Sequence, residues 1–536
     1  MIRKTIFILL TLFAANSIAG SDNGKLDILL KGGTVHSGDG SEGIIADVGI
    51  RGDRIVAVGD LGTQSAFKVL DVAGLAVVPG FIDIHSHAVR DTVEESGIFR
   101  WPDAESYIRQ GVTTAIGGPD GGSWYPIAEL FGMLEESPSA INFGSFVGHN
   151  SVRKLAMGRD DRAPTPDEMQ AMKDMVRRAM LDGAFGLSSG LKYIPGAYSE
   201  TGEVIVLAGV AGESGGIYIT HMREEGVGLL ESVEETIRIA EEAGLPAQIT
   251  HHKAMGAKMW GKSVDSLALV NAANARGLDI SSDQYPYAAS STGIDVLFPA
   301  WSLAGESETR LARLRDEETR ARIKTGIIEN LKYDRGGNDV SRVAIASCQW
   351  DPSLNGKNLA EILGERGLEA NMENAAELVM EIGEKGGCKA VYHAMSEEDV
   401  DNIMRHPKTM IASDGGIFMP TEDVPHPRYY GTFARVLGLY VRERAVLDFP
   451  TAIMKMTRMP ADRIGLSDRG RIEVGAMADI VVLDPDKVAD QATFDNPHQF
   501  SVGFKHVFVN GTAVLFNGEM TGDRPGRVLR SANAAD

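Results

Sequence analysis

The sequence is long and acidic: its 536 residues carry a formal net charge of -21 at pH 7. That charge argues against non-specific binding to nucleic acid, which depends on clustered lysine and arginine. Hydrophobic residues make up 43% of the chain and charged residues 24%, which argues against intrinsic disorder and predicts a globular protein with a large core.

The chain begins with the pattern of an export signal. Arg3 and Lys4 precede a largely apolar run over residues 5–15, and small residues end at Ala19. This order predicts a signal peptide over residues 1–19, and hence a periplasmic or secreted protein. The apolar run is too short to cross a bilayer, so we expect no stable membrane insertion. The only two cysteines, Cys348 and Cys388, are able to pair in an oxidising compartment, and their pairing stays open.

Short β-rich runs broken by Gly and Asp occupy both ends of the mature chain. They recur within residues 20–75, for example at 46–50 and 54–58, and again within residues 466–536, for example at 478–483 and 507–511. Their composition is typical of strands. We expect the two ends to form one small β domain beside a central domain over residues 76–465.

The central domain alternates short apolar strands with helical stretches, the α/β pattern of a parallel (β/α)8 barrel. Eight predicted strands end within residues 84–85, 114–117, 143–147, 185–188, 218–221, 248–251, 279–283 and 410–414. Apolar residues spaced by three and four predict helices over 167–181 and 229–243. A charged stretch over 310–330 is also predicted to be helical. It lies in an insertion around residues 292–400, which we expect to cover the barrel mouth.

The segment that organises the chain is VVPGFIDIHSH, over residues 77–87. It predicts a buried strand that ends with His85 and His87 projecting to the same side. Active sites of such barrels lie at the carboxyl ends of the strands, and the other ends add His221, His251 and Asp414. Four imidazoles and one carboxylate on one rim predict a metal centre, in which Asp414 moves protons to and from a water molecule.

Several stretches together carry a family resemblance. They are PGFIDIHSH, GVTT, GAFGLSSGLKYIPG, THMREE, THHK, SSDQYPY, ASDG, HPRYYGTFARVL, MTRMPADRIGL, RGRIEVGAMADIVVLDP and VNGTAV. In combination they resemble the D-aminoacylase (N-acyl-D-amino-acid deacylase) branch of the amidohydrolase superfamily, over nearly the whole mature chain. The resemblance implies a metal-dependent (β/α)8 TIM-like barrel with a small β-sandwich built from both ends. The implied substrates are small molecules, N-acyl-D-amino acids or dipeptides with a C-terminal D-residue, hydrolysed to a carboxylate and a free D-amino acid.

The resemblance also implies a metal-ligand set. His221 and His251 would hold the tighter zinc ion, and His85 and His87 would form a second site, so we expect one or two ions. Asp414 would be both a ligand and the acid/base of the reaction.

Four further positions match residues that hold the substrate's carboxylate and carbonyl in the family: Tyr193, Lys253, Tyr285 and Ser291. A lysine offers a point charge for the carboxylate, and a phenol offers a donor for the developing oxyanion. Arg223, in the THMREE stretch, is a further candidate for substrate binding.

One departure from the family pattern concerns the turn after the second strand. The usual turn is Gly-Asn-Cys-Gly with a metal-binding Cys, whereas residues 118–121 read Gly-Pro-Asp-Gly, so Asp120 stands at the Cys position. Related amidohydrolases instead bridge two metals with a carboxylated lysine at the fourth strand, where Lys192 stands. Both candidates stay open. We favour Lys192, because an amine in a cationic centre loses its proton readily and a carbamate restores negative charge.

Two other functions compete with the deacylase. A cyclic amidohydrolase of the hydantoinase or dihydroorotase kind shares the barrel and the bridging lysine, but it would not need the same carboxylate pocket. The set of Tyr193, Lys253 and Tyr285 therefore favours the deacylase. A non-catalytic binding protein on the same scaffold would have lost ligands, whereas all five matched His and Asp positions are present.

Overall fold

The computed structural model describes residues 24–534, so the predicted signal peptide lies outside the described residues. The strands are β1 (Leu26–Val35), β2 (Ile44–Arg51), β3 (Arg54–Gly59), β4 (Ala66–Asp71), β5 (Ala76–Pro79), β6 (Phe81–Asp83), β7 (Val112–Gly117), β8 (Asn142–Ser145), β9 (Val147–Gly148), β10 (Gly186–Gly190), β11 (Ile217–His221), β12 (Ala247–Ile249), β13 (Ile280–Gln284), β14 (Ser290–Gly293), β15 (Val343–Ser347), β16 (Lys389–Tyr392), β17 (Thr409–Ile411), β18 (Ile480–Leu483), β19 (Phe504–Val509), β20 (Thr512–Phe516) and β21 (Glu519–Met520).

The α-helices are α1 (Gly97–Arg100), α2 (Glu105–Ile108), α3 (Ile127–Glu136), α4 (His149–Met157), α5 (Pro166–Leu181), α6 (Thr201–Glu213), α7 (Leu229–Ala243), α8 (Ser263–Ala275), α9 (Ser307–Arg315), α10 (Glu317–Tyr333), α11 (Leu359–Glu365), α12 (Met372–Glu384), α13 (Glu397–Arg405), α14 (Arg428–Arg435), α15 (Phe449–Met456) and α16 (Arg458–Arg463). A π-helix over Val436–Glu443 continues α14. Within residues 24–534, no helix combines the length and apolar character that crossing a membrane requires.

The two ends of the chain form one nine-stranded sheet. Its order is β21-β20-β19-β18-β5-β1-β2-β3, with β4 paired to β1. The junction between the two ends is the antiparallel pair β5 and β18, in which Val78 lies opposite Val481. Side chains such as Val48, Val482 and Phe508 pack into one core on this sheet, which explains why both ends carry β-rich sequence.

The central region is built from two parallel sheets. One has the order β6-β7-β8, and the other β17-β13-β12-β11-β10-β9. Strands occur at all eight predicted positions, but the third is interrupted at Phe146, which separates β8 from β9. A parallel bridge pairs Ser86 with Gly415, so the segments after the first and last strands also run side by side. Every residue of β11 is buried, as expected for a parallel strand covered on both faces.

The helices follow the predicted periodicity closely. α5 begins at a capping box in which Thr165 and Glu168 satisfy each other's backbone N–H groups, and α7 ends at Gly244, which has a left-handed backbone. The stretch predicted as one helix over 310–330 is two helices, α9 and α10. The break falls at Asp316, whose carboxylate accepts a hydrogen bond from the Thr319 N–H at 2.9 Å and starts α10.

The predicted insertion contains a small antiparallel sheet in the order β14-β16-β15. A disulfide joins Cys348, which follows β15, to Cys388, which precedes β16. The sheet brings Ser291 and Lys389 to the same cavity as the carboxyl ends of the parallel strands. The insertion therefore supplies part of the cavity wall.

Candidate metal centre and active site

The four predicted histidines and two carboxylates meet at the carboxyl edge of the parallel sheets. His85 and His87 follow β6, Asp120 follows β7, His221 ends β11, His251 follows β12 and Asp414 follows β17. Their ligand-type atoms fall into two groups, one of His85, His87, Asp120 and Asp414, and one of Asp120, His221 and His251. Asp120 belongs to both groups.

Asp120 lies between two pairs of histidines and presents a different oxygen to each pair. Its Oδ2 is 3.5 Å from His85 Nε2 and 3.4 Å from His87 Nε2. Its Oδ1 is 3.3 Å from His251 Nε2 and 3.9 Å from His221 Nδ1. A carboxylate in this position is suited to bridge two metal ions, or to complete the coordination of one.

Three residues of this group have unusual backbone conformations. Asp120, His251 and Asp414 have φ values of 55°, 37° and 48°, in the left-handed region that non-glycine residues occupy infrequently. Such conformations persist where the surrounding structure enforces them, and they cluster at functional sites. The strain here coincides with the residues whose side chains converge.

The histidines have the contacts expected of metal ligands. The nitrogens of His85, His221 and His251 that face Asp120 are buried and make no hydrogen bond among the described residues. On the opposite side of these rings, His85 Nδ1 is 3.5 Å from Asp283, while Glu225 reaches His221 Nε2 at 3.3 Å and His251 Nδ1 at 3.0 Å. A carboxylate behind an imidazole favours the tautomer that leaves the front nitrogen free for a metal. Here the carboxylates lie near the rear nitrogens, although His85 Nδ1 and His221 Nε2 make no hydrogen bond within the described residues, and Lys253 Nζ lies 2.7 Å from His251 Nδ1. The donor set therefore fits a zinc-type ion.

The carboxylates also make the site electrostatically favourable for a bound cation, as the pKa shifts of the neighbouring groups indicate. Burial alone would raise the pKa of Asp120, but His85 and His251 hold it well below its usual range. Burial alone would lower the pKa of His85, but Asp120 and Asp414 raise it well above its usual value. By contrast, burial lowers the pKa of His221 to about 4, so that imidazole is neutral and able to coordinate.

Asp414 is held between the histidines and an arginine. Its Oδ1 lies 3.2 Å from His87 Nε2 and 3.5 Å from His85 Nε2, and its Oδ2 accepts a hydrogen bond from Arg428 at 2.6 Å. Burial opposes ionisation of Asp414, but Arg428 and His85 hold its pKa far below the usual range. One oxygen is thereby fixed, and the other faces the metal group.

Lys192 is not part of the histidine group. Its ammonium donates hydrogen bonds to Glu224 at 2.7 Å and to Asp334 at 3.1 Å, and it lines a separate cavity. Burial lowers its pKa, but Asp334 and Glu224 outweigh burial and raise it, whereas carboxylation requires a neutral amine. The sequence favoured Lys192 as the bridging residue, whereas these contacts direct Lys192 away from the histidines and the geometry favours Asp120.

The predicted substrate-binding residues divide into two sets. Tyr193, Lys253 and Ser291 line the cavity above the histidines, and the Tyr193 ring lies 4.4 Å from the His221 ring. Arg223 does not reach this cavity, because its guanidinium is bound by Glu235 at 2.8 Å and by backbone carbonyls. The hydroxyl of buried Tyr285 is directed at the sulfur of Met395, 3.8 Å away, so its ring packs behind the cavity wall.

Two buried arginines in the cavity wall were not assigned from the sequence. Arg335 donates to Glu225 at 2.9 Å, and Arg428 donates to Asp414 at the distance given above. Arg428 belongs to the HPRYYG stretch that carries the resemblance, so the sequence could have indicated it as a site residue. Arg335 and Glu225 are 110 positions apart in the chain, and no local pattern connects them.

The cavity measures about 280 Å³ and is also lined by Val89, Arg90, Trp124, Thr292, Lys389 and Tyr429. Its size is just below the range of about 300–1,000 Å³ that is usual for small-molecule sites. The arrangement combines a metal-type ligand set, a carboxylate able to exchange protons, and several cations, which suits hydrolysis of a small anionic substrate.

Comparison with known proteins adds to this geometry. A family model described as the amidohydrolase family matches residues 68–515. A D-aminoacylase from Alcaligenes xylosoxydans xylosoxydans is 37% identical over 532 residues, covering 95% of this chain and 98% of that protein.

Two solved structures extend the likeness to three dimensions. N-acyl-D-glutamate deacylase from Bordetella bronchiseptica, complexed with zinc and a phosphonate mimic of the tetrahedral intermediate, has a TM-score of 0.80 at 34% identity and covers 94% of this chain and 100% of its own. A D-aminoacylase with a binuclear metal centre has a TM-score of 0.80 at 36% identity, with the same coverage.

Proposed function

The chain belongs to the amidohydrolase family, and from that membership we propose that it is a zinc-dependent deacylase of N-acyl-D-amino acids. The reaction cleaves the amide bond and releases a carboxylate and a free D-amino acid. The observation that carries the proposal is the position of Asp120 between two histidine pairs, with Asp414 beside them in a cavity lined by cations.

In this proposal His221, His251 and Asp120 would hold one zinc ion, and His85 and His87 would contribute to a second. Zinc at this position would lower the pKa of water and polarise the scissile carbonyl. Asp414 accepts a proton from the attacking water through Oδ1, the oxygen that Arg428 does not bind, and delivers that proton to the leaving nitrogen.

The inner cations of the cavity are suited to bind the substrate's α-carboxylate. Lys253, Arg335 and Arg428 line this cavity and pair with Glu225, Asp334 and Asp414. Lys253 and Arg428 each keep further N–H groups that are able to donate to a substrate carboxylate. We further propose that the Tyr193 hydroxyl donates to the oxyanion that forms on the scissile carbonyl.

A cyclic amidohydrolase is disfavoured by two observations. Hydantoins lack the free α-carboxylate that the inner cations are suited to bind, and the bridging lysine of the cyclic class has no counterpart here, because Lys192 is occupied by Glu224 and Asp334.

The proposed activity is tested with matched N-acetyl-D- and N-acetyl-L-amino acids and the zinc-loaded protein. We expect release of free amino acid from the D-series only, and none after the metal is removed by a chelator. Hydantoin and dihydroorotate, tested on the same sample, should not be hydrolysed. Turnover of the L-series at an equal rate, or of the cyclic amides alone, would contradict the proposal.

Glu225 offers a test of the metal site that does not depend on activity. Its carboxylate contacts both His221 and His251 from behind, so Glu225→Gln weakens the fixation of both rings. We expect zinc affinity to fall by about 10- to 100-fold, as for other outer-shell carboxylates. Competition with a chromophoric chelator measures this, with the exposed Glu242→Gln as control. Unchanged affinity would remove Glu225 from the zinc site.

We also propose how the chain is organised and where it acts. The bridge between Ser86 and Gly415, and the single-residue gap between β8 and β9, support closure of the two parallel sheets into one (β/α)8 barrel over residues 76–465. The nine-stranded sheet would be the core of a β-sandwich formed by residues 20–75 and 466–536. The disulfide supports export to the periplasm or beyond, because such bonds persist in oxidising compartments.

A further inference from the structure

Two cations of the cavity wall have no partner among the described residues. The wall contains five cationic side chains, of which Lys253, Arg335 and Arg428 pair with carboxylates. The other two, Arg90 and Lys389, line the same cavity, and neither side chain forms an ion pair or hydrogen bond within residues 24–534. The α-carboxylate of the proposed substrate is assigned to the inner group, so Arg90 and Lys389 remain without an assigned partner.

Arg90 and Lys389 come from distant parts of the chain and converge on one surface. Arg90 follows the histidine segment after β6, and Lys389 begins β16 in the insertion. The same cavity wall includes Tyr429, whose hydroxyl makes no hydrogen bond to a described residue. A surface lysine without a partner is ordinary, but two cations and a free phenol on one cavity wall form a set of donors suited to a carboxylate.

The electrostatic state of Tyr429 agrees with this arrangement. Burial alone would raise the pKa of its phenol, but Arg90 and Lys389, followed by Arg428, lower the pKa below its ordinary value. The potential at this hydroxyl is therefore positive enough to outweigh burial. Negative charge on a bound ligand would be favoured there for the same reason.

We infer that Arg90, Lys389 and Tyr429 form a second anion subsite, which binds an additional carboxylate of the substrate. The inference rests on the proposed deacylase function and names its substrate class: N-acyl-D-amino acids that carry a second carboxylate. That group belongs either to the amino-acid side chain, as in D-glutamate, or to a dicarboxylic acyl group, as in a succinyl derivative. Both present the same chemistry to the subsite.

The test compares two isosteric or matched pairs with the zinc-loaded protein. N-acetyl-D-glutamate is compared with N-acetyl-D-glutamine, and N-succinyl-D-leucine with N-acetyl-D-leucine. We expect kcat/KM to favour the anionic member of one pair by at least about tenfold, and the pair that shows the preference identifies the source of the carboxylate.

Variants then assign the preference to the subsite. Arg90→Gln and Lys389→Gln should each lower kcat/KM for the preferred anionic substrate by about 3- to 30-fold, mainly through KM, and leave the neutral partner within about twofold. Arg90→Lys should retain part of the preference. Lys385→Gln is the matched control, because Lys385 lies in the same insertion, is exposed and pairs with Glu381.

The outcomes separate this inference from the function on which it rests. If neutral N-acetyl-D-amino acids are hydrolysed without any preference for the anionic members, the second subsite is wrong and the deacylase stands. The subsite is equally wrong if both variants reduce the two members of a pair to the same extent. If no N-acyl-D-amino acid is hydrolysed by the metal-loaded protein, the proposed function is wrong and the subsite falls with it.

Discussion

Replacing Asp414 by asparagine is expected to lower kcat by about 10²- to 10⁴-fold, the range that a positioned acid/base contributes. Asparagine has the same shape, tolerates the left-handed backbone at this position and still offers an oxygen to Arg428. It cannot accept and return a proton. Because the four histidines and Asp120 remain, the variant should keep most of its metal and its fold.

Three measurements on the same preparation separate this role from a structural one. Steady-state kinetics gives kcat, elemental analysis gives the bound zinc, and thermal unfolding reports the fold. Asp265→Asn, at an exposed position paired with Lys262, serves as control and should resemble the wild type. Near-normal turnover by Asp414→Asn would rule out the acid/base role, and loss of zinc in proportion to activity would make Asp414 a ligand only.

Local sequence patterns predicted much of the fold because the strands and helices have regular periods. The limits of α7, residues 229–243, agree with the predicted helix, and strands occur at all eight expected positions. The errors fall where a single side chain decides the local structure. Asp316 divides one predicted helix into two by capping the second, and a polar cap inside a charged stretch does not disturb the periodicity that predicted a helix.

The candidate site was predicted to the extent that its residues lie at strand ends. His85, His87, His221, His251 and Asp414 follow that rule, and the structure brings them together. The choice between Lys192 and Asp120 could not be made from position along the strand, because each residue follows a strand at the same edge. The contacts of each side chain favour Asp120, which lies among the histidines, over Lys192, which pairs with Glu224 and Asp334.

The outer contacts of the site are set by long-range packing. Arg335 meets Glu225 across 110 positions, and Lys389 reaches the cavity only because β14, β15 and β16 pair within the insertion. The net charge of the chain also did not indicate the charge of the cavity. The chain carries -21 overall, but the local field of a cavity depends on the few side chains that face it, and this cavity presents five cations.

Replacing Asp120 by asparagine is expected to abolish stable metal binding and, with it, activity. The two Asp120 oxygens face both histidine pairs, so loss of the charge affects both groups at once. Loss of an outer-shell carboxylate alone costs about 10- to 100-fold in metal affinity, and loss of a bridging ligand should cost more than about 100-fold. Asparagine is the suitable substitute, because it too tolerates a φ of 55°.

Lys192→Met provides the matched comparison, because Lys192 was the competing candidate. If Asp120 bridges the metals, Lys192→Met keeps its zinc and its kcat, although Glu224 and Asp334 lose their shared partner and the unfolding temperature falls. Zinc reloading of the wild type should also be independent of bicarbonate, which a carbamate would require. Retention of zinc by Asp120→Asn, together with its loss from Lys192→Met, would reverse the assignment and return the bridging role to the lysine.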